Sequence, residues 1–325
     1  MRADRIDGQE KAFEYIDAAV SEERLAHSVI FAGPKGVGRS NLALYLAKAV
    51  NCLSGGKRPC GSCRSCDKIE RGIHPDVKTV TRDEKSGEIK IGEIRKIGRE
   101  IVLKPYEGRY KVFIIEEADY MNQEASNAFL KTLEEPPQKS LIILTAESAL
   151  KLLSTVASRC QIVRLHALDK IRLKHVLMSR YGMDDRRAEF ASRFSQGRLG
   201  RALCVTDKAV EARNETLEAF FEKKAKEQLI KKRTDLIEKL DILALWYRDL
   251  LVYKASGDTE LLVNIDLVDH IKRATDSLDA DNILRVFERV TETRRLVEDN
   301  VNPKLALRVL YRDMPEEGTF SFQGV

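Results

Sequence analysis

The stretch SVIFAGPKGVGRSNLALYLAKAV, from Ser28 to Val50, is the most informative part of the sequence for the fold. It opens with a short apolar run, passes through the glycine-rich loop GPKGVGRS at 33–40, and continues with apolar residues at helical spacing. A strand, a glycine-rich loop and a helix in this order form the context of a phosphate-binding loop, where backbone N–H groups and the positive end of a helix dipole meet an anion. The stretch therefore predicts an α/β domain that contains such a loop.

The loop matches the P-loop pattern G-x-x-x-x-G-K-[ST] at every fixed position except one. Gly33, Gly36 and Gly38 let backbone N–H groups converge and Ser40 supplies the hydroxyl, but Arg39 stands where the pattern has lysine. A guanidinium is larger than an ammonium, planar and differently directed, so this exchange is not conservative. These five residues are candidates for a degenerate nucleotide site. A glycine-rich turn without a ligand is the alternative.

An acidic pair follows a second apolar run in VFIIEEAD, from Val112 to Asp119. Glu116 occupies the position at which a P-loop ATPase uses aspartate to hold Mg²⁺, and Glu117 occupies that of the residue that positions the attacking water. The extra methylene of glutamate displaces the carboxylate, and Mg²⁺ tolerates little departure from octahedral geometry. Because Arg39 and Glu116 both depart from the pattern, we expect no robust hydrolysis by this chain, and ATP and Mg²⁺ are doubtful cofactors.

The rest of the chain separates into a part with strands and a part without them. Three further apolar runs predict strands: YKVFII (110–115), SLIILT (140–145) and QIVRL (161–165). Runs this apolar, alternating with helical stretches, are typical of a parallel sheet flanked by helices. After Leu165 apolar residues recur at helical spacing only. We expect an α/β domain at 1–165, a small helical domain at 166–207 and an all-helical domain at 208–325.

Four of the six cysteines lie within fifteen residues, and they form the pattern C-x7-C-x2-C-x2-C. Thiolates at such spacings can close tetrahedrally around Zn²⁺, and the intervening glycines and proline supply the turns. The predicted ligands are Cys52, Cys60, Cys63 and Cys66, in a zinc knuckle at 52–66. Four protein ligands leave no open position for water, so the metal should be structural. Four ordinary thiols are the alternative.

Composition excludes several other classes of function. Lysine and arginine number 56 against 51 acidic residues, a formal net charge of +5 that gives no global positive field for nucleic acid. No nucleic-acid readout motif is visible, so a stand-alone DNA-binding module fits poorly. The N-terminal residues resemble no signal peptide and no run is long enough to span a membrane, so we expect a cytoplasmic protein without membrane partners.

A family resemblance rests on NAFLKTLEEPP, from Asn127 to Pro137, on the later triplet Ser158-Arg159-Cys160 and on the four-cysteine module. Found together, these features resemble the bacterial DNA polymerase III clamp-loader AAA+ subunits. The resemblance implies an AAA+ α/β domain, a helical lid and a helical collar that oligomerises. It also implies the partners: the motor (gamma/tau) and delta subunits, the sliding clamp, and primed DNA reached through the complex.

Within that family the chain resembles the delta' type more than the motor type. A motor subunit would be expected to keep the P-loop lysine and the aspartate that binds Mg²⁺, whereas this chain has Arg39 and Glu116. The resemblance implies a non-motor subunit that contributes Arg159 in trans to the ATP site of a neighbour. A catalytically active gamma/tau-like ATPase subunit is the alternative.

Two further candidates come from the family pattern. Thr145 falls where the family senses the γ-phosphate, although a β-branched residue is ordinary in a strand. In GRLGRAL (197–203), Gly200 falls where motor subunits place a second phosphate-sensing arginine, and Arg201 lies one residue further on. If Arg201 cannot reach a phosphate, the chain departs from a working ATPase at a third position.

Overall fold

The structure, a computed structural model, describes residues 7–83, 86–221, 233–299 and 301–314. Its contacts divide the chain into two units. The first holds the residues up to Asp169 together with Gly197–Gly200, and the second holds Lys170–Gln196 and the residues from Arg201 onward. The predicted domain boundaries at 165/166 and 207/208 stay predictions.

The first unit is built on a five-stranded parallel sheet with the strand order β2-β3-β4-β1-β5. The strands are β1 (Ser28–Ala32), β2 (Val77–Val80), β3 (Lys111–Ile115), β4 (Ser140–Ala146) and β5 (Gln161–Arg164). Four of them confirm the predicted strands. β2 was not predicted, because VKTV is a half-exposed edge strand with little apolar signal.

Six helices accompany the sheet in the described part of the first unit: α1 (Glu10–Ser21), α2 (Arg39–Asn51), α3 (Arg64–Glu70), α4 (Ile91–Glu100), α5 (Gln123–Glu134) and α6 (Ser154–Ala157). Side chains alternate between the two faces of β1. Val29 and Phe31 join a core with α1 and α2, whereas Ile30 joins a core with α4 and α5. Helices therefore cover both faces of the sheet, which confirms the predicted AAA+ α/β architecture.

The second unit is all-helical in its described residues. Its helices are α7 (Lys170–Tyr181), α8 (Asp185–Phe194), α10 (Asp207–Phe221), α11 (Arg233–Ser256), α12 (Val268–Ser277), α13 (Ala280–Glu298) and α14 (Pro303–Asp313), while α9 (Leu199–Ala202) straddles the division between the units. Short 3-10 turns occur at Ala118–Tyr120, Ala149–Lys151, Thr259–Leu261 and Ile265–Leu267. The core of this unit centres on the fully buried Trp246 of α11. No helix in the described ranges is long and apolar enough to cross a membrane.

Candidate functional site

The glycine-rich loop follows β1 directly and ends in α2, as predicted. Gly38 is the N-cap of α2 with φ at +103°, a left-handed conformation that favours glycine. At Gly33 a Cβ atom would lie 2.5 Å from the carbonyl oxygen of Leu165. Both positions therefore require glycine, one for its conformation and one for space. Ser40 is half-buried in the first turn of α2.

Arg39, which replaces the P-loop lysine, is buried with 8% of its surface exposed. Its Nη1 has no hydrogen-bond partner in the described part of the chain, and neither does Oδ1 of Asp119. Burial raises the pKa of Asp119, while the N–H of Glu147 and the positive charge of Arg39 act in the opposite direction.

The two acidic residues after β3 have different surroundings. The N–H of Glu116 donates to the carbonyl of Val80 at 2.9 Å. Glu117 has a positive φ of 52°, and its Oε2 lies 2.9 Å from Nε of Arg82. The Arg82 guanidinium also lies 4.7 Å from the centre of the Tyr120 ring. The Glu117 carboxylate is therefore already paired with a cation of its own chain.

Thr145 and Gly200 make contacts that were not foreseen. The Thr145 side chain is buried near the end of β4, and its Oγ1 accepts the N–H of Glu117 at 3.0 Å. The N–H of Gly200 donates to the carbonyl of Gly36 at 2.8 Å, and a Cβ on Gly200 would lie 2.9 Å from that oxygen. The loop and the acidic pair are thus held by partners within the chain.

Arg201 belongs to the second unit. Its guanidinium carbon lies 5.0 Å from the centre of the Phe194 ring. Burial lowers the pKa of Arg201, and the nearby Asp241 and Glu238 act in the opposite direction. Its predicted part in the nucleotide site stays a prediction.

Arg159 lies at the other end of the sheet from the P-loop. The carboxyl ends of parallel strands share one edge, and the P-loop, Glu116 and Thr145 lie at that edge after or near the ends of β1, β3 and β4. Arg159 precedes β5 and therefore lies at the amino edge. The pairing of Val29 with Gln161 places Gly33 four residues along the strands from the start of β5, and Arg159 lies before that start, in the turn after α6. Four extended residues span about 13 Å, beyond the reach of an arginine side chain.

The Arg159 side chain is 36% exposed and is held by three contacts, the longest of them from Nη1 to Oγ of Ser158 at 3.4 Å. Nη2 lies 2.8 Å from Oε1 of Glu134, the last residue of α5. Nη1 donates to the carbonyl of Thr155 at 2.9 Å. The guanidinium is therefore both exposed to solvent and fixed in direction.

The four predicted cysteine ligands come together in one cluster. Their sulfurs all lie within 4.8 Å of one another. Sulfurs in a tetrahedral zinc–thiolate site are about 3.8 Å apart, because each Zn–S bond is about 2.3 Å long. Cys52 follows α2 and Cys63 caps α3, so both helices position the cluster. The arrangement fits one tetrahedral metal ion.

Backbone donors prepare this cluster for negative charge. The N–H groups of Cys60, Cys63 and Cys66 point at the sulfurs of Cys52, Cys60 and Cys63, at 3.4, 3.3 and 3.5 Å. The pKa of the Cys60 thiol is lowered to about 6, chiefly by the backbone N–H of Ser62, whereas burial raises the pKa of Cys66. Thiolates are the form that binds metal, so the donors favour binding.

Comparisons with known proteins agree with this geometry. The family model described as "DNA polymerase III, delta subunit" matches residues 8–169, and the one described as "DNA polymerase III, delta subunit, C terminal" matches 207–312. Subunit delta' of DNA polymerase III from Bacillus subtilis strain 168 is 30% identical over 306 residues, which cover 90% of this chain and 92% of that protein. The chain belongs to the DNA polymerase III delta' family.

Relatives named subunit tau also match this delta' family member. DNA polymerase III subunit tau of Escherichia coli K12 is 34% identical over 211 residues, which cover 63% of this chain and 32% of tau. A solved gamma subunit-related protein of Thermotoga maritima superposes with a TM-score of 0.51 at 20% identity, covering 94% of this chain and 98% of that one. That structural likeness supports the shared fold.

Sequence reasoning missed three residues of the sites in this delta' family member. They are Arg82, Asp119 and Glu134. Arg82 follows the unpredicted strand β2, so recognising that strand would have pointed to it. Glu134 stands inside the motif that carried the resemblance, yet its contact with Arg159 links positions far apart in the sequence.

Proposed function

We propose that this chain is a non-motor subunit of the DNA polymerase III clamp loader and supplies Arg159 in trans to the ATP site of a neighbouring motor subunit. The observation that carries the proposal is the position of Arg159. It lies exposed at the amino edge of the sheet, and the strands alone separate that edge from the P-loop of its own chain by about 13 Å. An arginine so placed has no phosphate of its own chain within reach, but it is accessible to a neighbour.

The chemistry assigned to Arg159 is electrostatic. Charge spreads over the equatorial oxygens of a γ-phosphoryl group during transfer, and a guanidinium delivered by another chain stabilises that charge. Such arginines contribute about 10³ to 10⁵ in rate where they act. The planar fork of donors fits two phosphate oxygens at once, which an ammonium does not.

The chain's own site is proposed to lack hydrolytic activity. Arg39 replaces the lysine, Glu116 replaces the aspartate, and the Glu117 carboxylate is paired with Arg82. A carboxylate held by a guanidinium is poorly placed to orient an attacking water. The glycine cradle and the unpartnered Nη1 of Arg39 remain compatible with weak anion binding.

The metal at the cysteine cluster is proposed to be a structural Zn²⁺. A tetrahedral thiolate site is supported by the short spacings of the cysteines and by the four sulfurs, which lie within 4.8 Å of one another. Backbone N–H groups also donate to three of these sulfurs. Thiolate ligands in tetrahedral geometry suit zinc, and four protein ligands leave no position for a reacting water. Bound there, the ion would tie the chain after α2 to α3.

Family membership supports the proposed partners. They are the motor (gamma/tau) and delta subunits, the sliding clamp, and primed DNA contacted through the whole complex. The proposed site of action is the cytoplasm, where DNA replication takes place in bacteria.

The test is reconstitution of the complex with wild-type or Arg159→Ala chain, at matched assembly. DNA-stimulated ATP hydrolysis and clamp loading should both slow, while folding stays intact because an exposed arginine contributes little to stability. Arg159→Lys should rescue poorly, since it lacks the planar fork. Unchanged rates in both assays would overturn the trans-acting role. Robust hydrolysis by the isolated chain would instead favour a gamma/tau-like ATPase.

A further inference from the structure

We propose that Glu134 is a positioning residue that holds the Arg159 guanidinium in the direction required by the neighbouring ATP site. The inference rests on the proposed function of Arg159 and adds a role for the motif NAFLKTLEEPP. Glu134 is the first of the two glutamates in that motif, and its Oε1 lies 2.8 Å from Nη2 of Arg159. No other part of the proposed function uses this motif.

The two prolines of the motif fix where Glu134 lies. A proline disfavours the helical conformation at the residue before it, and Glu135, which precedes Pro136, has φ −122° and ψ 65°. Helix α5 therefore ends at Glu134. The negative end of a helix dipole is an unfavourable place for a carboxylate unless a cation lies beside it. Arg159 is that cation.

The sequence neighbours of Glu134 and Arg159 pack in the same hydrophobic core. Leu133 is buried in the cluster between the sheet and helices α4 and α5, and the partly buried Cys160 packs against the same cluster. Glu134 follows Leu133 and Arg159 precedes Cys160 in the sequence. Both charged side chains are exposed to solvent and form an ion pair with each other. Each member of the ion pair is therefore bonded to a residue that packs in the same core, Glu134 to Leu133 and Arg159 to Cys160.

Arg159 is held from two sides by its own chain. Glu134 contacts Nη2, and the carbonyl of Thr155 accepts from Nη1 at 2.9 Å. A free arginine samples many rotamers, and fixing it at the moment of reaction costs conformational entropy. These contacts, together with the longer one to Oγ of Ser158, restrict the guanidinium beforehand, so less of this cost remains when the phosphate arrives.

The expected contribution is to rate and not to stability. The Glu134 side chain is 50% exposed, and exposed ion pairs contribute little to folding. Glu134 would touch neither the nucleotide nor the attacking water, so it acts only through Arg159. An arginine that engages the transferring group in the transition state affects kcat more than KM.

The test uses the reconstituted complex with full-length chains carrying Glu134→Gln, which keeps the size of the side chain and removes its charge. The Arg159-dependent part of the DNA-stimulated hydrolysis should fall about two- to fivefold in kcat with KM for ATP unchanged. Glu135→Gln is the matched control, because it removes the same charge one residue away. Its exposed carboxylate has no partner in the described residues, and this variant should match wild type.

A double variant separates this inference from the proposed function. In the Arg159→Ala background, Glu134→Gln should have no further effect, because its target is gone. If Arg159→Ala slows hydrolysis but Glu134→Gln matches wild type or is faster, the positioning role is wrong and the proposed function stands. The positioning role would also be overturned if Glu134→Gln slowed hydrolysis equally in the wild-type and Arg159→Ala backgrounds. Unchanged hydrolysis in Arg159→Ala would show that the proposed role of Arg159 in trans is itself wrong.

Discussion

Asp76 offers the sharpest test of how the first unit is held together at the amino end of β3. Its buried carboxylate accepts three backbone N–H groups, from Tyr106 at 2.7 Å and from Glu107 and Gly108 at 2.8 Å each. Nζ of Lys111 lies 3.7 Å from Oδ1. One side chain thus organises the turn that leads into β3.

Asp76→Asn should destabilise the first unit by about 3 to 5 kcal/mol. The amide keeps the shape but replaces one accepting oxygen with a donating NH₂, so at least one backbone N–H faces another N–H. A hydrogen bond to a charged group contributes about 1.5 to 3 kcal/mol, and the lost charge also weakens the remaining bonds and the attraction to Lys111. Asp67→Asn is the control, since its carboxylate is 59% exposed and paired only with Arg71 in the described residues, and it should cost under about 1 kcal/mol.

The stability lost in Asp76→Asn should become smaller as the pH falls. Burial raises the pKa of Asp76, but the three N–H donors and Lys111 outweigh it and hold the pKa below its usual value. The stabilisation is therefore complete above the unfolded pKa of about 3.9 and is lost as pH falls through the lower folded pKa. Amide hydrogen exchange in β3 measures the opening free energy of this unit. The reasoning would be refuted if the opening free energies of wild type and Asp76→Asn differed by less than about 1 kcal/mol at pH 7. It would also be refuted if that difference grew as the pH fell.

Two further predictions concern the metal and the nucleotide site. Elemental analysis should find one zinc per chain, and Cys63→Ser should lower that content while β3 keeps its exchange protection; freely titratable thiols with well under one equivalent would contradict the site. The isolated chain should show negligible ATP hydrolysis in a steady-state assay, because Arg39 and Glu116 both depart from the P-loop pattern. Turnover at the rate of an ordinary P-loop ATPase that disappears in Glu117→Gln would contradict this.

The sequence was sufficient to predict those features whose signal lies within one short segment of the chain. β1, β3 and β4 are buried on both faces, so each is a continuous apolar run and was predicted. The four cysteines were predicted as a cluster because their short spacings leave few other arrangements. β2 was missed because this short edge strand has exposed Lys78 and Thr79 side by side between two half-buried valines.

Contacts between distant positions could not be predicted in the same way. The pairing of Arg82 with Glu117 depends on β2 lying beside β3, which only the strand order reveals. The pairing of Glu134 with Arg159 depends on the end of α5 meeting the turn before β5. Periodicity within one helix or strand carries no information on either contact, because it describes which face is apolar and not which element lies opposite.

The two ends of the parallel sheet would explain how a chain without hydrolytic activity of its own keeps the arginine that is proposed to act in trans. At the carboxyl edge, the Glu117 carboxylate is paired with Arg82, and the carbonyl of Gly36 accepts the N–H of Gly200. At the amino edge, Arg159 rests on Glu134 and Thr155, none of which touches the P-loop. The length of the strands separates the two sets by about 13 Å. Substitutions such as lysine to Arg39 can therefore accumulate at one edge without disturbing the guanidinium at the other, and the proposed role in trans needs only the second edge.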